Sequence, residues 1–365
     1  MSTTEILKDK RKEEDWKRTE PEIKLQLIND AVSQGAVFNS KITELRNEIK
    51  EIVQNYDFLK KFYHNQVDPV KMYEIVAGLD GSNILTGMRG VIQFICASTA
   101  SIVFQGGLSN AKSFYNAKII PIKDDKPEIV KHNVQINSMR FEVENLEHAI
   151  NDLAQISDKE KLILIDGPII DPPNERDEKY IKERCNVINS GLENNILIVG
   201  VVKRFYENFF LKFLREKEYL IEENKEKIDQ LFRSDTILAS FLFSNYNPHR
   251  GECIYTEIFE FDNDSEIYFY YKRYGLKIYS FLFQFEIGAK IYRLDLAVPY
   301  EMQIDQIVNL QERIIQNLIY WTYEKLSYPF PVVIAHEKCT LKKSVGDVLF
   351  QEYISSNRGT LSCKF

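Results

Sequence analysis

The chain has 365 residues, of which 44% are hydrophobic and 28% charged, and a formal net charge of −7. That balance belongs to a folded chain with a substantial core, in one large domain or two smaller ones, and excludes a disordered polymer and a protein coated with basic residues. It leaves nucleic acid open as a ligand, because a groove can be locally basic on an acidic body.

The five cysteines, Cys96, Cys185, Cys253, Cys339 and Cys363, form no C-x-x-C and no spacing of a zinc site or secreted disulfide framework. The amino-terminal "MSTTEILKDKRKEEDWKR" lacks the apolar stretch of a signal peptide, and no run approaches the ~20 apolar residues of a membrane span. A reducing, cytoplasmic compartment is the expectation.

In chain order, residues 1–64 read as a helical extension. Ile42, Leu45, Ile49, Ile52 and Val53 recur at helical intervals, with no proline after Pro21. Such an amphipathic arm is a candidate contact for a second copy or a partner, and its charge-rich start, Lys8 to Glu20, reads as solvated. From Tyr73 the texture turns to strands: "EIVAGLD", then "GVIQFICASTASIVFQGG" as one long strand or a hairpin, then "AKIIPIK". A helix from about Met139 to Ile156 leads into "LILID". A second, around Glu178 to Leu192, leads into "NILIVGVVKRF", dense enough to be buried on both faces.

Two helix-like segments near Tyr206 to Phe232 precede four aromatic stretches, "CIYTEIFEF", "EIYFYYKRY", "IYSFLFQFEI" and "KIYRLDLAV". Their alternation predicts an antiparallel extension of the sheet, with the Tyr and Phe stripes as core. A helix in "YEMQIDQIVNLQERIIQNLIYWTYEKL" and the tail "SYPFPVVIAHEKCTLKKSVGDVLF" complete the chain. The class is α/β, a central mixed sheet flanked by helices over residues 65–365.

Two strands end in Asp-Gly: "EIVAGLDGSN", which holds Asp80, and "KLILIDGPII", which holds Asp166. A carboxylate closing a buried strand is costly to desolvate unless something pairs with it. Open α/β sheets place their sites at such strand ends, and two carboxylates brought together there call for a shared proton or a divalent cation. Hard oxygen ligands favour Mg2+ or Mn2+, the ions of phosphodiester cleavage, and a third acid is then expected nearby. The helix "MRFEVENLEHAINDLAQI" buries Met139, Val143, Leu146, Ile150 and Leu153. At about 100° per residue Glu147 and Glu142 border that face while Glu144 points away; Glu147 is the first candidate, with Glu142 and Glu144 behind it.

In the tail, "YPFPVVIAH" brings together Tyr328, Pro329, Pro331, Ala335 and His336. Here the chain resembles the NurA nuclease family, whose members carry an Asp-Gly-Ser after a first strand, a helical acid, a second Asp-Gly strand and a Tyr-Pro-x-Pro…Ala-His segment, in this order. The resemblance spans roughly residues 70–350. It implies an RNase H-like (PIWI-like) fold and a Mn2+-dependent DNA nuclease that forms homodimers and works with the hexameric HerA translocase. Activity would be 5′–3′ exonuclease and single-strand endonuclease, in DNA end processing or degradation of invading phage DNA.

Carried over by position, the resemblance implies that Asp80 bridges two ions, with Asp166 and the helical acid Glu147 completing their shells. His336 would ligate an ion or hold the attacking water, aimed by prolines that hold the segment extended. Tyr328 would contact a phosphate or stack on a base, and Lys203 and Arg204, which close the "ILIVGVVKRF" strand, are candidate phosphate contacts. Pro168 departs from the family pattern, in which a small or polar residue is common after the second Asp-Gly. Two rivals remain: an actin-like or sugar-kinase ATPase, which wants glycine-rich phosphate hairpins although the chain has no G-x-G, and a catalytically silent dimeric adaptor of a HerA-type ATPase.

Overall fold

The computed structural model describes residues 20–88, 92–107, 110–122, 126–156, 159–170, 177–221, 234–246, 249–261, 265–322 and 328–361. The chain divides into two compact units: Met1–Gln54 with Leu220–Leu231, and Asn55–Tyr219 with Phe232–Phe365. Among the described residues of the first, one long helix, α1 (Pro21–Ile52), opens with proline in its first turn, where the missing N–H costs nothing. Most of its described side chains are exposed, among them Ile23, Leu25, Leu27, Ile28 and Val32. Lys8 and its charged neighbours up to residue 19 lie outside the described residues.

The second unit is built on a ten-stranded mixed sheet in the order β1-β7-β9-β10-β6-β5-β2-β3-β4, with β8 (Phe259–Glu260) pairing β9. The strands are β1 (Leu59–Tyr63), β2 (Ile75–Met88), β3 (Ile92–Gln105), β4 (Ala111–Ile122), β5 (Lys161–Asp166), β6 (Ile196–Val202), β7 (Glu252–Thr256), β9 (Leu276–Gln284) and β10 (Ile291–Pro299). Strands β2, β3 and β4 form an antiparallel meander, while β5 and β6 add in parallel beside β2. The parallel additions need crossovers, supplied by α2 (Pro127–Ala154) and α3 (Glu178–Glu193). An antiparallel meander continued by parallel strands and their helices is the RNase H-like arrangement expected from the sequence.

Side-chain alternation splits the core in two. Val76, Leu162, Leu164, Val199 and Val201 face one layer with α7 (Ile304–Trp321) and α8 (Phe330–Cys339). Ile75, Ala77, Leu79, Ile163 and Ile198 face the other, with α2, α3 and α6 (Glu266–Arg273). The remaining helices are α4 (Phe209–Glu216), α5 (Asp235–Asn245) and α9 (Lys343–Leu361).

The structure departs from the sequence reading in three places and decides between two alternatives in a fourth. Leu59–Tyr63, inside the stretch read as helical, pairs with β7 as an edge strand. Of the two alternatives for the apolar run around Ser98, the structure has the one continuous strand, β3. "EIYFYYKRY" forms α6 instead of a strand: Ser265 caps it by accepting from the Tyr268 N–H, and Ile267, Tyr268 and Tyr271 bury at helical spacing. The proline-rich tail is helical as well. Pro331 sits in the first turn of α8, where its fixed φ suits a helix, so the segment is not extended.

Candidate metal centre

The site follows from strand register. Leu79 on β2 lies beside Ile165 on β5, and one step further in the same register stand Asp80 and Asp166. Neighbouring strands run about 4.8 Å apart. Both aspartates are even-numbered like Val76 and Leu164, so the two-residue period turns both toward the layer of α8. There His336 points back at them. Its Nδ1 is 2.6 Å from Asp80 Oδ2 and 3.7 Å from Asp166 Oδ2. One ligand atom from each of the three residues lies within 4.8 Å of the others.

β2 does not end at Asp80; it runs on to Met88, paired with β3 alone. Asp80 therefore marks the point where β5 stops, leaving one flank of β2 open beside a carboxylate. The glycines that follow the two aspartates serve different purposes. Gly167 has φ +147°, a conformation that side chains rarely adopt, and it turns the chain so that its N–H donates to the Val201 carbonyl at 3.1 Å. At Gly81 the need is space: a Cβ there would meet Glu142 Cγ at 2.9 Å and Oε1 at 3.0 Å.

That contact separates the helical acids. Glu142 lies against Gly81, the residue that follows Asp80, on the α2 side of the sheet. Glu144 is exposed and pairs with Lys118 at 3.0 Å. Glu147 is exposed too and lines a groove between α2 and α3 with Asn151, Asn186 and Ser190. The structure thus brings together Asp80, Asp166 and His336, sets Glu142 against Gly81 on the α2 side of the sheet, and leaves Glu147 outside the group.

The surrounding residues hold the carboxylates in place. Asp80 accepts from the Gly81 N–H at 2.8 Å and from the Cys339 thiol at 3.4 Å. Burial raises the Asp80 carboxyl above the ordinary carboxylate range and the nearby Asp166 charge adds to this, while His336, Cys339 and the Gly81 N–H oppose it. Asp166 receives Lys203 Nζ at 2.5 Å on Oδ2, and the Tyr328 hydroxyl lies 3.1 Å from Oδ1. The Tyr328 hydroxyl is also 3.1 Å from the Val201 carbonyl, and burial, seconded by the Asp166 charge, pushes its pKa well up, so it remains a donor.

Tyr328 is 7% exposed. Lys203 Nζ covers its ring face at 4.4 Å and Tyr292 packs against it edge-on, so the ring offers no open face to a stacking base. Lys203 is half-buried and Arg204 is exposed. Pro168 leaves Asp166 intact and accepts from Arg184 Nη2 at 2.8 Å through its carbonyl.

Cys339 is the residue that sequence reading passed over. Its signal is the i, i+3 spacing from His336, which puts two side chains on one face only if the tail is helical. Burial and the Asp80 charge raise its pKa, so the group at Asp80 is a neutral thiol donor.

Two carboxylates and an imidazole suit a divalent ion of intermediate hardness, and the like charges of Asp80 and Asp166 are what such an ion neutralises. The donor set therefore fits Mn2+ or Mg2+. Among the described residues no helix is long and apolar enough to cross a membrane.

Comparison with known proteins bears on the family and the fold. The chain is similar to the NurA nuclease from Sulfolobus solfataricus at 15% identity and TM-score 0.57, covering 95% of this chain and 100% of that one. A NurA structure bound to dAMP and manganese matches at 11% identity and TM-score 0.40, over 87% of this chain and 93% of that one. Argonaute from Aquifex aeolicus matches at 11% and 0.31, over 73% and 28%. No curated protein matches. The NurA domain family profile matches residues 74–339, a span that opens just before Asp80, contains Asp166 and His336 and closes on Cys339, and the chain belongs to the NurA family.

Proposed function

We propose that this chain is a divalent-metal-dependent DNA nuclease. One observation carries the reading: Asp80, Asp166 and His336, spread over 256 residues of sequence, each present a ligand atom within 4.8 Å of the others. Asp80 and Asp166 would hold the divalent cation, with His336 completing the set and Glu142 taking the place of the helical acid in preference to Glu147. The bound cation would supply Lewis acidity toward a phosphodiester.

The chain's own groups do the rest. Tyr328 donates to Asp166 and fixes its rotamer, and Cys339 does the same for Asp80. With Nδ1 turned to Asp80, His336 keeps Nε2 to ligate or to hold a water proton; its side chain is 55% exposed. Lys203 neutralises Asp166 and, with Arg204, meets the DNA backbone.

Family membership supports the finer parts of the reading: 5′–3′ exonuclease and single-strand endonuclease activity, homodimers, a HerA-type hexameric translocase as partner, and a role in DNA end processing or phage defence. The amino-terminal extension, residues 1–64, is the proposed dimer or translocase contact, and the exposed apolar residues of α1 support it. Four described cysteines, all free, fit the proposed cytoplasmic setting.

The test is cleavage of labelled single- and double-stranded DNA with Mn2+, Mg2+ or EDTA, by wild type and Asp80→Ala. Cutting that needs the metal and falls at least about 10³-fold in the variant is expected, the equivalent of several kcal/mol of transition-state stabilisation. Cleavage that survives EDTA or the substitution refutes the reading. Silence in every metal, with and without the translocase, favours the adaptor.

A further inference from the structure

β6 leaves its ladder with β10 at Val202, opposite Arg293. Lys203 and Arg204 follow Val202, and Lys290 immediately precedes β10, so three cations collect where these antiparallel strands meet the end of the sheet that carries Asp166. Like charges so placed repel, and the cost needs an anion to offset it. Asp166 takes Lys203. Among the described residues no carboxylate pairs with Arg204 or Lys290. Both are exposed, in a chain whose net charge is −7.

We infer that Lys290, with Arg204, forms a phosphate-binding rim beside the metal centre and holds the DNA strand at a phosphate other than the one being cut. The inference rests on the nuclease reading and names its substrate path. The Lys290 ammonium is pushed below its ordinary value by partial burial, then by the Arg204 and Lys203 charges, against the pull of Asp166. A bound phosphate reverses that repulsion, which an ordinary solvated lysine would not experience. Because Lys290 stands on the β9–β10 turn and Asp166 on β5, the rim can fail without disturbing the carboxylates.

Binding of a fluorescent single-stranded oligonucleotide to the full chain, followed by anisotropy across a salt series in Ca2+ in place of Mn2+, tests the rim. Lys290→Gln is expected to weaken binding about fivefold and to flatten the slope of log K against log salt by about 0.7, one phosphate contact on a single strand. Lys290→Arg retains the slope, as does Lys179→Gln, an exposed lysine of α3 beside Glu183. Wild-type affinity and slope in Lys290→Gln, with normal binding by the unsubstituted chain, overturns the rim and leaves the nuclease reading standing. Failure of the unsubstituted chain to bind DNA at any salt overturns both.

Discussion

Asp80 lives under opposed demands. Burial and Asp166 favour its protonation, while an imidazole, a thiol and a backbone N–H favour the carboxylate. On the proposed reading such a residue is held for a cation rather than for stability, since replacing buried charge by apolar groups is often neutral or stabilising. The helical acid carries the sharpest residue-scale prediction. Angle on a helical wheel ranks Glu142 and Glu147 together, but they stand five residues apart, about 7.5 Å along the axis. They also lie about 140° apart round it, so height and azimuth together decide which reaches Gly81. Glu142→Gln is therefore expected to lower Mn2+ affinity by about 10–100-fold, and Glu147→Gln to leave it unchanged, by isothermal calorimetry. Equal effects, or an effect of Glu147→Gln alone, reverse the assignment.

At the scale of elements, the site depends on how closely α8 lies on β2. Gly78 makes that approach possible: a Cβ there would fall 2.1 Å from the Pro331 carbonyl oxygen and 2.6 Å from the Val332 nitrogen, both backbone atoms that cannot swing aside. Gly78→Ala must push α8 off the sheet, and His336 and Cys339 travel with it. The expected cost is near the upper end of the ~1–3 kcal/mol of overpacking, read in urea unfolding, with Mn2+ affinity reduced as well. Full stability with intact metal binding would mean that α8 does not seat His336.

The same element shows how far sequence reading went. "YPFPVVIAH" singled out His336, which the fold does bring to the two aspartates, while its prolines argued for an extended chain. Proline in a helical first turn costs nothing, and nothing local distinguishes the two placements. In α6 the aromatic alternation misled for a similar reason: in a short stretch, residues on one helical face can mimic the period of a strand, and only Ser265 marked the cap.

On the whole molecule, α1 leaves an apolar surface unburied. Leu25, Ile28 and Val32 are 61%, 47% and 70% exposed and fall on one stripe at about 100° per residue. If this arm makes the dimer or translocase contact, Leu25→Glu with Ile28→Glu should dissociate the assembly in light scattering and leave metal binding by the monomer untouched. Unchanged mass and unchanged translocase binding would remove α1 from the interface.

Most of the strands, the crossover helices, the α/β class, both aspartates and the tail histidine were legible in the chain itself, because hydrophobic period and turn chemistry are local and motifs keep their residues adjacent. What the tertiary structure alone decided is the set of relations between distant segments. Among these are the β2–β5 register that makes Asp80 and Asp166 neighbours and the seating of α2 that puts Glu142 against Gly81. The turn of α8 that adds Cys339 and the meeting of two strand ends that gathers Lys290 with Lys203 and Arg204 belong with them. Register and helix height are set by packing across the sheet, where a shift of one residue turns every side chain to the other face, and no local stretch of sequence carries that information.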